Sequence, residues 1–171
     1  LSYFKFLGTS NLSNEALSRK FYSLGCNYGI FTGDKQCYIS LSGPEEHFDA
    51  ALTLLEELLQ KPAADKEALK NLVDRTIKER EDSKLDKSSI RQALSNYARY
   101  GKDNPFRYTL SNAELKALKP ETLLGIIKNL NAYPHKVFYY GQRSLPDLMN
   151  TLGAQHRIPA KTLAEPSVKT F

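Results

Sequence analysis

The chain has 171 residues, of which 41% are hydrophobic and 25% charged, and its formal net charge at pH 7 is +5. A chain of this length buries roughly 70% of its unfolded surface, which predicts one domain with a real core. No apolar run is long enough to cross a membrane. Basic and acidic residues alternate across residues 61–107, as they do on solvated helix faces, which argues against a nucleic-acid-binding groove.

The first predicted helix runs from about Asn14 to Leu24. Ser13 has a side chain that can cap a helix N-terminus, and Gly25 suits a left-handed stop at the other end. The apolar stripe of this helix consists of Leu17, Phe21 and Leu24.

A β-hairpin is predicted over Cys26–Ser42, because apolar residues alternate on both arms. A two-residue turn at Gly33-Asp34 would pair Ile30 with Cys37 and Cys26 with Leu41. The two cysteines would then share a face but lie several residues out of register, so both are predicted to be free buried thiols. The predicted core face, packed against the next helix, consists of Cys26, Tyr28, Ile30, Cys37, Ile39 and Leu41.

Two long helices follow the hairpin. Pro44 suits the first position of a helix over residues 44–61, and Asp65 can cap another that ends near Asp82. After a polar interruption, apolar residues at helical spacing from Ile90 to Tyr97 predict a further helix that faces the core.

The later elements are shorter. Ser111 and Glu114 form a capping box, Pro120 opens a helix, and residues 145–152 form another helix. Residues 136–140 are apolar enough to predict a strand. We expect residues 1–156 to form the domain, and residues 157–171, rich in proline and lysine, to be a linker or tail.

Several short motifs follow one another along the chain. The first two are Leu7-Gly8-Thr9 and Ile77-Lys78-Glu79-Arg80-Glu81-Asp82. The later two are Tyr100-Gly101-Lys102-Asp103-Asn104-Pro105-Phe106 and Val137-Phe138-Tyr139-Tyr140-Gly141. In this order and spacing, the chain resembles the pitrilysin/insulinase family of zinc metallopeptidases, whose motif helix carries His-x-x-Glu-His.

The positions that bind zinc in this family hold other residue types here. Counting back from Gly8, the second histidine falls on Tyr3 and the glutamate on Ser2, while the first histidine would lie upstream. The third ligand, a glutamate on a later helix, falls on Arg75 or Thr76. Catalytic zinc needs three protein ligands, and hydrolysis needs a general base. The resemblance therefore implies no metal site, no cofactor and no catalytic residue in this chain.

The three histidines do not replace these ligands. His47 lies in a Glu-rich first helical turn, His135 starts the predicted strand, and His156 lies in the C-terminal tail. None has another histidine or a cysteine at a ligand spacing. We expect three ordinary surface or boundary histidines.

The resemblance implies an α+β fold, in which helices pack on one face of an antiparallel sheet that lacks the family's first strands. The family's peptidases have two related halves that close around an unfolded peptide, and only one half carries zinc. This chain resembles the inactive half, which forms part of the chamber wall and supports substrate binding. Its expected partners are the zinc-bearing catalytic half of the same polypeptide, a zinc-dependent endopeptidase, and a peptide substrate.

Two other functions fit some of the same features. One is a catalytically inactive family member that acts as a scaffold or binding subunit, which predicts a stable partner interface. The other is a basic nucleic-acid-binding module, which steeply salt-dependent binding would support. The chain starts at Leu1 without an initiator methionine or signal peptide, so we expect an excised or processed piece, and nothing in it assigns a compartment.

The family's inactive halves often contribute an arginine and a tyrosine that contact substrate near the zinc. Arg107 and Tyr108 follow Asn104-Pro105-Phe106, a loop that resembles the family's His-Pro-Tyr-Gly segment. A cation and a phenol can hold a peptide carbonyl and its oxyanion, which makes these two the candidate substrate-binding residues. Their alternative roles are a loop-capping arginine and a half-buried tyrosine.

The missing first strands have a further consequence. The hairpin and the predicted strand at 136–140 would leave a backbone edge unpaired, and the aromatic lead-in of Tyr3, Phe4 and Phe6 would lose its cover. We therefore expect the fragment to associate as a two-fold homodimer.

Overall fold

A computed structural model describes residues 2–33, 36–104, 108–157 and 159. The chain divides into two compact units. The first combines Leu1–Ala64 with Glu121–Phe171, and the second is Asp65–Pro120. Of the predicted tail, only Arg157 and Pro159 are described. No helix within the described ranges is both long and apolar enough to span a membrane.

Seven helices and four strands carry labels below. In chain order they are β1 (Gly8–Thr9), α1 (Asn14–Ser23), β2 (Asn27–Thr32), β3 (Cys37–Ser42), α2 (Phe48–Gln60), β4 (Pro62–Ala63), α3 (Lys66–Ser83), α4 (Lys87–Tyr100), α5 (Asn112–Lys116), α6 (Pro120–Lys128) and α7 (Leu145–Gln155). A 3-10 turn at Ser2–Phe6 precedes β1. Two short antiparallel sheets form, β1 with β4 and β2 with β3. The predicted α+β class is confirmed.

Local sequence signals set the helix ends as predicted. The Ser13 hydroxyl accepts a hydrogen bond from the Ala16 amide at 3.2 Å, and the Asp65 carboxylate accepts one from Ala68 at 2.9 Å. Gly25 has a φ of +60°, the left-handed conformation that favours glycine after a helix. These caps need only residues within one turn, which is why their chemistry can be read directly from the sequence.

The start of α2 differs from the prediction. Pro44 is extended, with φ −62° and ψ 141°, and precedes a 3-10 turn at Glu45–His47. The α-helix itself begins at Phe48. Proline fixes φ but leaves ψ free, so Pro44 acts here as the residue before the first turn rather than as part of it.

The hairpin register differs from the prediction by two residues. The observed pairs include Tyr28 with Leu41, Ile30 with Ile39 and Thr32 with Cys37. The predicted pairing of Ile30 with Cys37 is therefore wrong. The Gly33 amide donates to the Gln36 carbonyl at 2.9 Å, so Gly33 belongs to the paired part of the hairpin and is not a central residue of its turn. Moving a turn by one position shifts every cross-strand partner by two residues and keeps each side chain on its predicted face.

The predicted core face of the hairpin is buried most deeply far from the turn. Cys26 and Ile30 are buried, whereas Ile39 is half-buried and Cys37 is exposed. Both cysteines are free, as predicted, but the predicted burial of Cys37 is wrong. Cys37 pairs with Thr32 at the turn end of the hairpin, where both residues are exposed.

Aromatic rings and leucines build the core of the first unit. Phe4 and Phe21 both pack on the ring of Tyr28, with centroids 6.0 Å and 4.3 Å away. Tyr3 and Phe4 are only 4% and 1% exposed, so the expected loss of cover at the lead-in is wrong for these two residues. The 3-10 turn places them beside α6, where they share a small apolar groove with Ile127. The fully buried large side chains are Phe4, Leu7, Leu17 and Leu58.

The second unit contains α3, α4 and α5. Arg80 on α3 donates to the Leu110 carbonyl at 2.7 Å and to the Asn112 side chain at 2.9 Å, which fixes the start of α5. The capping box of Ser111 and Glu114 is confirmed at the same place.

Helix α4 has no buried residue, so the prediction that its apolar stripe faces the core is wrong. Leu94, near the middle of the stripe, is 68% exposed, and Ile90 and Tyr97 are exposed as well. Helical spacing of apolar residues shows that one face is apolar, but it does not show what covers that face.

The predicted strand at 136–140 does not form. Within the described chain, neither of the two sheets includes these residues. Val137, Phe138 and Tyr140 are exposed, and only the side chain of Tyr139 is held, by contacts with the start of α2. A strand requires a neighbouring strand for its backbone hydrogen bonds, so an apolar sequence alone does not make one.

Candidate functional site

The first two positions that correspond to zinc-binding residues lie at the start of the chain. Ser2 is exposed and Tyr3 is buried, both in the 3-10 turn before β1. A serine hydroxyl and a phenol replace the carboxylate and imidazole that zinc hydrolysis requires. These two side chains therefore do not fit a catalytic zinc ion.

The third position lies on α3 and is engaged within that helix. The Arg75 guanidinium lies 3.5 Å from the Glu79 carboxylate one turn later, and both side chains are largely exposed. The Thr76 hydroxyl donates to the Leu72 carbonyl at 2.8 Å. Arg75 carries a positive charge, and the Thr76 hydroxyl is hydrogen-bonded to a backbone carbonyl of its own helix. Neither side chain can therefore take the place of a carboxylate ligand.

No group of three or more His, Cys, Asp or Glu side chains in the described ranges is arranged to hold a metal ion. His47 lies 3.6 Å from the exposed Glu46 carboxylate at the start of α2, as an ordinary surface pair.

The structure describes one residue of the candidate substrate-binding pair. Tyr108 is 77% exposed, so its ring and hydroxyl are accessible to a polypeptide, and it is not the half-buried residue of the alternative interpretation. Arg107 and the adjoining Pro105 and Phe106 lie outside the described residues. The assignment of a substrate contact to Arg107 and Tyr108 stays a prediction.

The histidine pair in the first unit was missed by sequence reasoning. His135 and His156 face each other with their Nε2 atoms 2.7 Å apart. His156 Nδ1 lies 2.6 Å from the Glu56 carboxylate, and His135 Nδ1 lies 2.7 Å from the Tyr133 carbonyl. The side chain of His156 is 13% exposed and that of Glu56 is 7% exposed. The expectation of three ordinary surface or boundary histidines is therefore wrong for these two.

One sequence signal pointed to this cluster. Glu56 follows Leu52 by four residues and therefore lies on the apolar stripe of α2, where a carboxylate costs free energy unless it is paired. Its partner His156 is 100 residues away in sequence, a separation that no spacing rule covers.

A second polar cluster joins the segment before α7 to the start of α2. Arg143 donates from Nε to Glu45 at 2.9 Å and from a terminal nitrogen to Asp49 at 2.5 Å. The hydrogen bond from Arg143 lowers the pKa of Asp49. The Tyr139 hydroxyl donates to Glu45, and this bond raises the pKa of Tyr139. The guanidinium also lies 4.8 Å from the centroid of the Phe48 ring.

Comparison with solved structures identifies the fold. The chain matches a mutant of the ferredoxin protease FusC in complex with Arabidopsis ferredoxin, with a TM-score of 0.77 and 17% identity over 98% of this chain. It also matches the peptidase M16 inactive domain from Pseudomonas fluorescens, with a TM-score of 0.56 and 16% identity over 95% of this chain. It spans only 18% and 41% of those two chains. No protein-family model and no curated protein matches the chain. The fold is thus that of a peptidase M16-type domain.

Proposed function

We propose that this chain is a noncatalytic domain of a zinc metallopeptidase of the pitrilysin/insulinase type. In this proposal, it forms part of the wall of a chamber that encloses the peptide and supports substrate binding by the catalytic half. The zinc ion and the catalytic residues belong to that other half of the same polypeptide. The chain by itself is not an enzyme.

The observation that supports this proposal most strongly is the match to an inactive peptidase domain over 95% of the chain, combined with the side chains at the family's zinc positions. Ser2, Tyr3, Arg75 and Thr76 supply neither a pair of imidazoles nor a carboxylate. Zinc therefore does not fit these positions, and no catalytic step is assigned to the chain.

The proposed substrate is a polypeptide. FusC is a protease, and its structure contains a bound protein, ferredoxin. In the present chain, the exposed ring of Tyr108 offers a hydroxyl and an apolar face to a passing peptide. Arg107, its neighbour in sequence, would supply a cation for a peptide carbonyl.

Binding of a fluorescently labelled, unstructured peptide to the whole chain tests the substrate role. We expect saturable binding that Tyr108→Ala and Arg107→Ala each weaken by about threefold to thirtyfold, the range for one lost hydrogen bond or side-chain contact. Tyr22→Ala is the matched control, because Tyr22 is an exposed tyrosine on α1, and it should leave binding unchanged. Wild-type binding that neither variant at 107–108 weakens would contradict the assignment of these residues.

A hydrolysis assay tests the noncatalytic assignment. A quenched fluorescent peptide should remain intact with the purified chain, both with added zinc and with a chelator. Turnover that a chelator abolishes and that tracks the protein through purification would overturn the proposal. The scaffold alternative predicts no peptide binding but a stable complex with another protein, so the binding assay distinguishes the two.

A further inference from the structure

The groups Tyr133, His135, His156 and Glu56, which run from an exposed tyrosine to a buried glutamate, have three consecutive short contacts. Glu56 Oε1 contacts His156 Nδ1 at 2.6 Å, the two Nε2 atoms are 2.7 Å apart, and His135 Nδ1 contacts the Tyr133 carbonyl at 2.7 Å. The other carboxylate oxygen of Glu56 accepts hydrogen bonds from the amides of Asn131 and Gln60, both at 3.2 Å. Both oxygens of the carboxylate are therefore engaged.

Each of the three contacts needs its own hydrogen, whichever group carries it. The Tyr133 carbonyl accepts only, so His135 Nδ1 must carry a hydrogen. A second hydrogen lies between His156 Nδ1 and Glu56, on the imidazole if the carboxyl is ionised and on the carboxyl if it is protonated. The contact between the two Nε2 atoms needs a third hydrogen. Two neutral imidazoles with an ionised carboxylate hold only two hydrogens, so the closed arrangement holds one proton more.

The separation of the two nitrogens fits a proton rather than a metal ion. Two histidine nitrogens bound to one zinc ion at about 2.05 Å, with a tetrahedral angle, lie about 3.3 Å apart. The observed 2.7 Å between the Nε2 atoms is a hydrogen-bond distance.

We propose that His135 and His156, with Glu56, form a partly buried proton-binding site that holds one excess proton and fastens α7 and the segment 131–135 to α2. Glu56 lies on α2, His156 directly follows α7, and His135 follows the 3-10 turn at Leu130–Ala132. The Thr53 hydroxyl also donates to the Gln155 side chain at 2.9 Å, so the two helices meet beside the site.

Other charged groups near these elements are engaged elsewhere. On α2, Glu57 accepts hydrogen bonds from Thr9 and Asn11. Asp49, nearer the start of α2, binds Arg143. Lys136 and Arg157, which follow the two histidines in sequence, form no ion pair with Glu56 within the described chain. Glu56 is therefore the charge that faces the histidine pair.

Urea unfolding of the full chain at pH 7, with chelator present, tests whether the site fastens these segments. His156→Gln and Glu56→Gln should each lower the urea midpoint, because each removes a partner from a buried hydrogen bond. His47→Gln, which changes a histidine outside the site, should leave the midpoint close to that of wild type. Unchanged midpoints in both site variants would overturn the proposal.

A measurement on wild type keeps the proposal testable if a variant fails to fold. Nitrogen-15 NMR of the imidazoles at pH 6.5 should show Nδ1 of His135 protonated and one hydrogen between the two Nε2 atoms. A bare Nδ1 on His135, or no hydrogen between the two Nε2 atoms, would overturn the assignment. So would a stoichiometric metal ion bound to the untreated protein and lost in His156→Gln.

Discussion

Arg143 donates a hydrogen bond from Nε to the carboxylate of Glu45 at 2.9 Å, across 98 residues of chain. The same guanidinium binds Asp49 and lies over the ring of Phe48, so the segment before α7 is fixed to the start of α2 at three points. A planar guanidinium can make all of these contacts at once, which a lysine could not.

We expect Arg143→Gln to lower the urea midpoint at pH 7. We also expect the free energy of unfolding of this variant to fall less steeply than that of wild type as the pH is lowered. The hydrogen bond from Arg143 lowers the pKa of Asp49. A lowered carboxyl pKa contributes stability above the ordinary value of about 3.9, and that contribution is lost as the pH falls through the lowered value. Wild type should therefore lose stability more steeply than the variant between about pH 5 and pH 2.

Arg75→Gln is the control for this prediction, because Arg75 pairs with the exposed Glu79 on the same helix. Exposed pairs of this kind contribute little to stability. If Arg143→Gln loses stability on acidification as steeply as wild type does, the role given to Asp49 is contradicted.

The two isoleucines that pair across the hairpin should differ in their effect on stability. Ile30 is buried on β2, whereas its partner Ile39 on β3 is half-buried. Ile30→Ala should cost about 2–5 kcal/mol, the range for a large-to-small change in a core. Ile39→Ala should cost about 1–2 kcal/mol, because less of its apolar surface leaves water on folding. Equal losses in denaturant unfolding would show that both strands are covered to the same extent.

Thiol labelling should distinguish the two cysteines. Cys37 is exposed and Cys26 is buried. Desolvation raises the pKa of both thiols, so access to the reagent, rather than the thiolate fraction, distinguishes them. A maleimide should therefore label one thiol of the folded chain quickly, and the second only after urea is added. Cys37→Ser should abolish the fast phase, whereas Cys26→Ser should keep it. Fast labelling that persists in Cys37→Ser would contradict the observed burial of Cys26.

Self-association should fall on dilution. The hairpin of β2 and β3 is a two-stranded sheet, and no further strand of the described chain pairs with it. Free backbone edges can pair with another chain, most simply in a two-fold dimer. Light scattering across a tenfold dilution should show a mass that decreases from the dimer towards the monomer. A monomeric mass at every concentration would contradict this prediction.

The features that sequence reasoning predicted correctly depend on residues close together in the chain. Ser13, Asp65 and the Ser111–Glu114 capping box all bond a backbone amide within three residues. Gly25 needs only its own freedom to adopt positive φ.

The features that it missed depend on contacts between distant segments. Glu56 could be recognised as a carboxylate on an apolar stripe, but not paired with His156 before the fold was known. The exposed stripe of α4 has the same spacing as a buried one, so its surroundings could not be inferred. The hairpin turn could form at either of two neighbouring positions, and only the observed register distinguishes them.

The division of the first unit into two stretches, Leu1–Ala64 and Glu121–Phe171, constrains the order of folding during synthesis. Helix α2 leaves the ribosome before any of the residues that contact its Glu56 and Asp49 side chains from the later stretch. Closing those contacts requires the ends of the whole segment Asp65–Pro120 to come together, which slows folding compared with a chain of local contacts. Until residue 121 and those after it emerge, the apolar surface of the first stretch is incompletely covered, so this nascent chain is a natural substrate for chaperones.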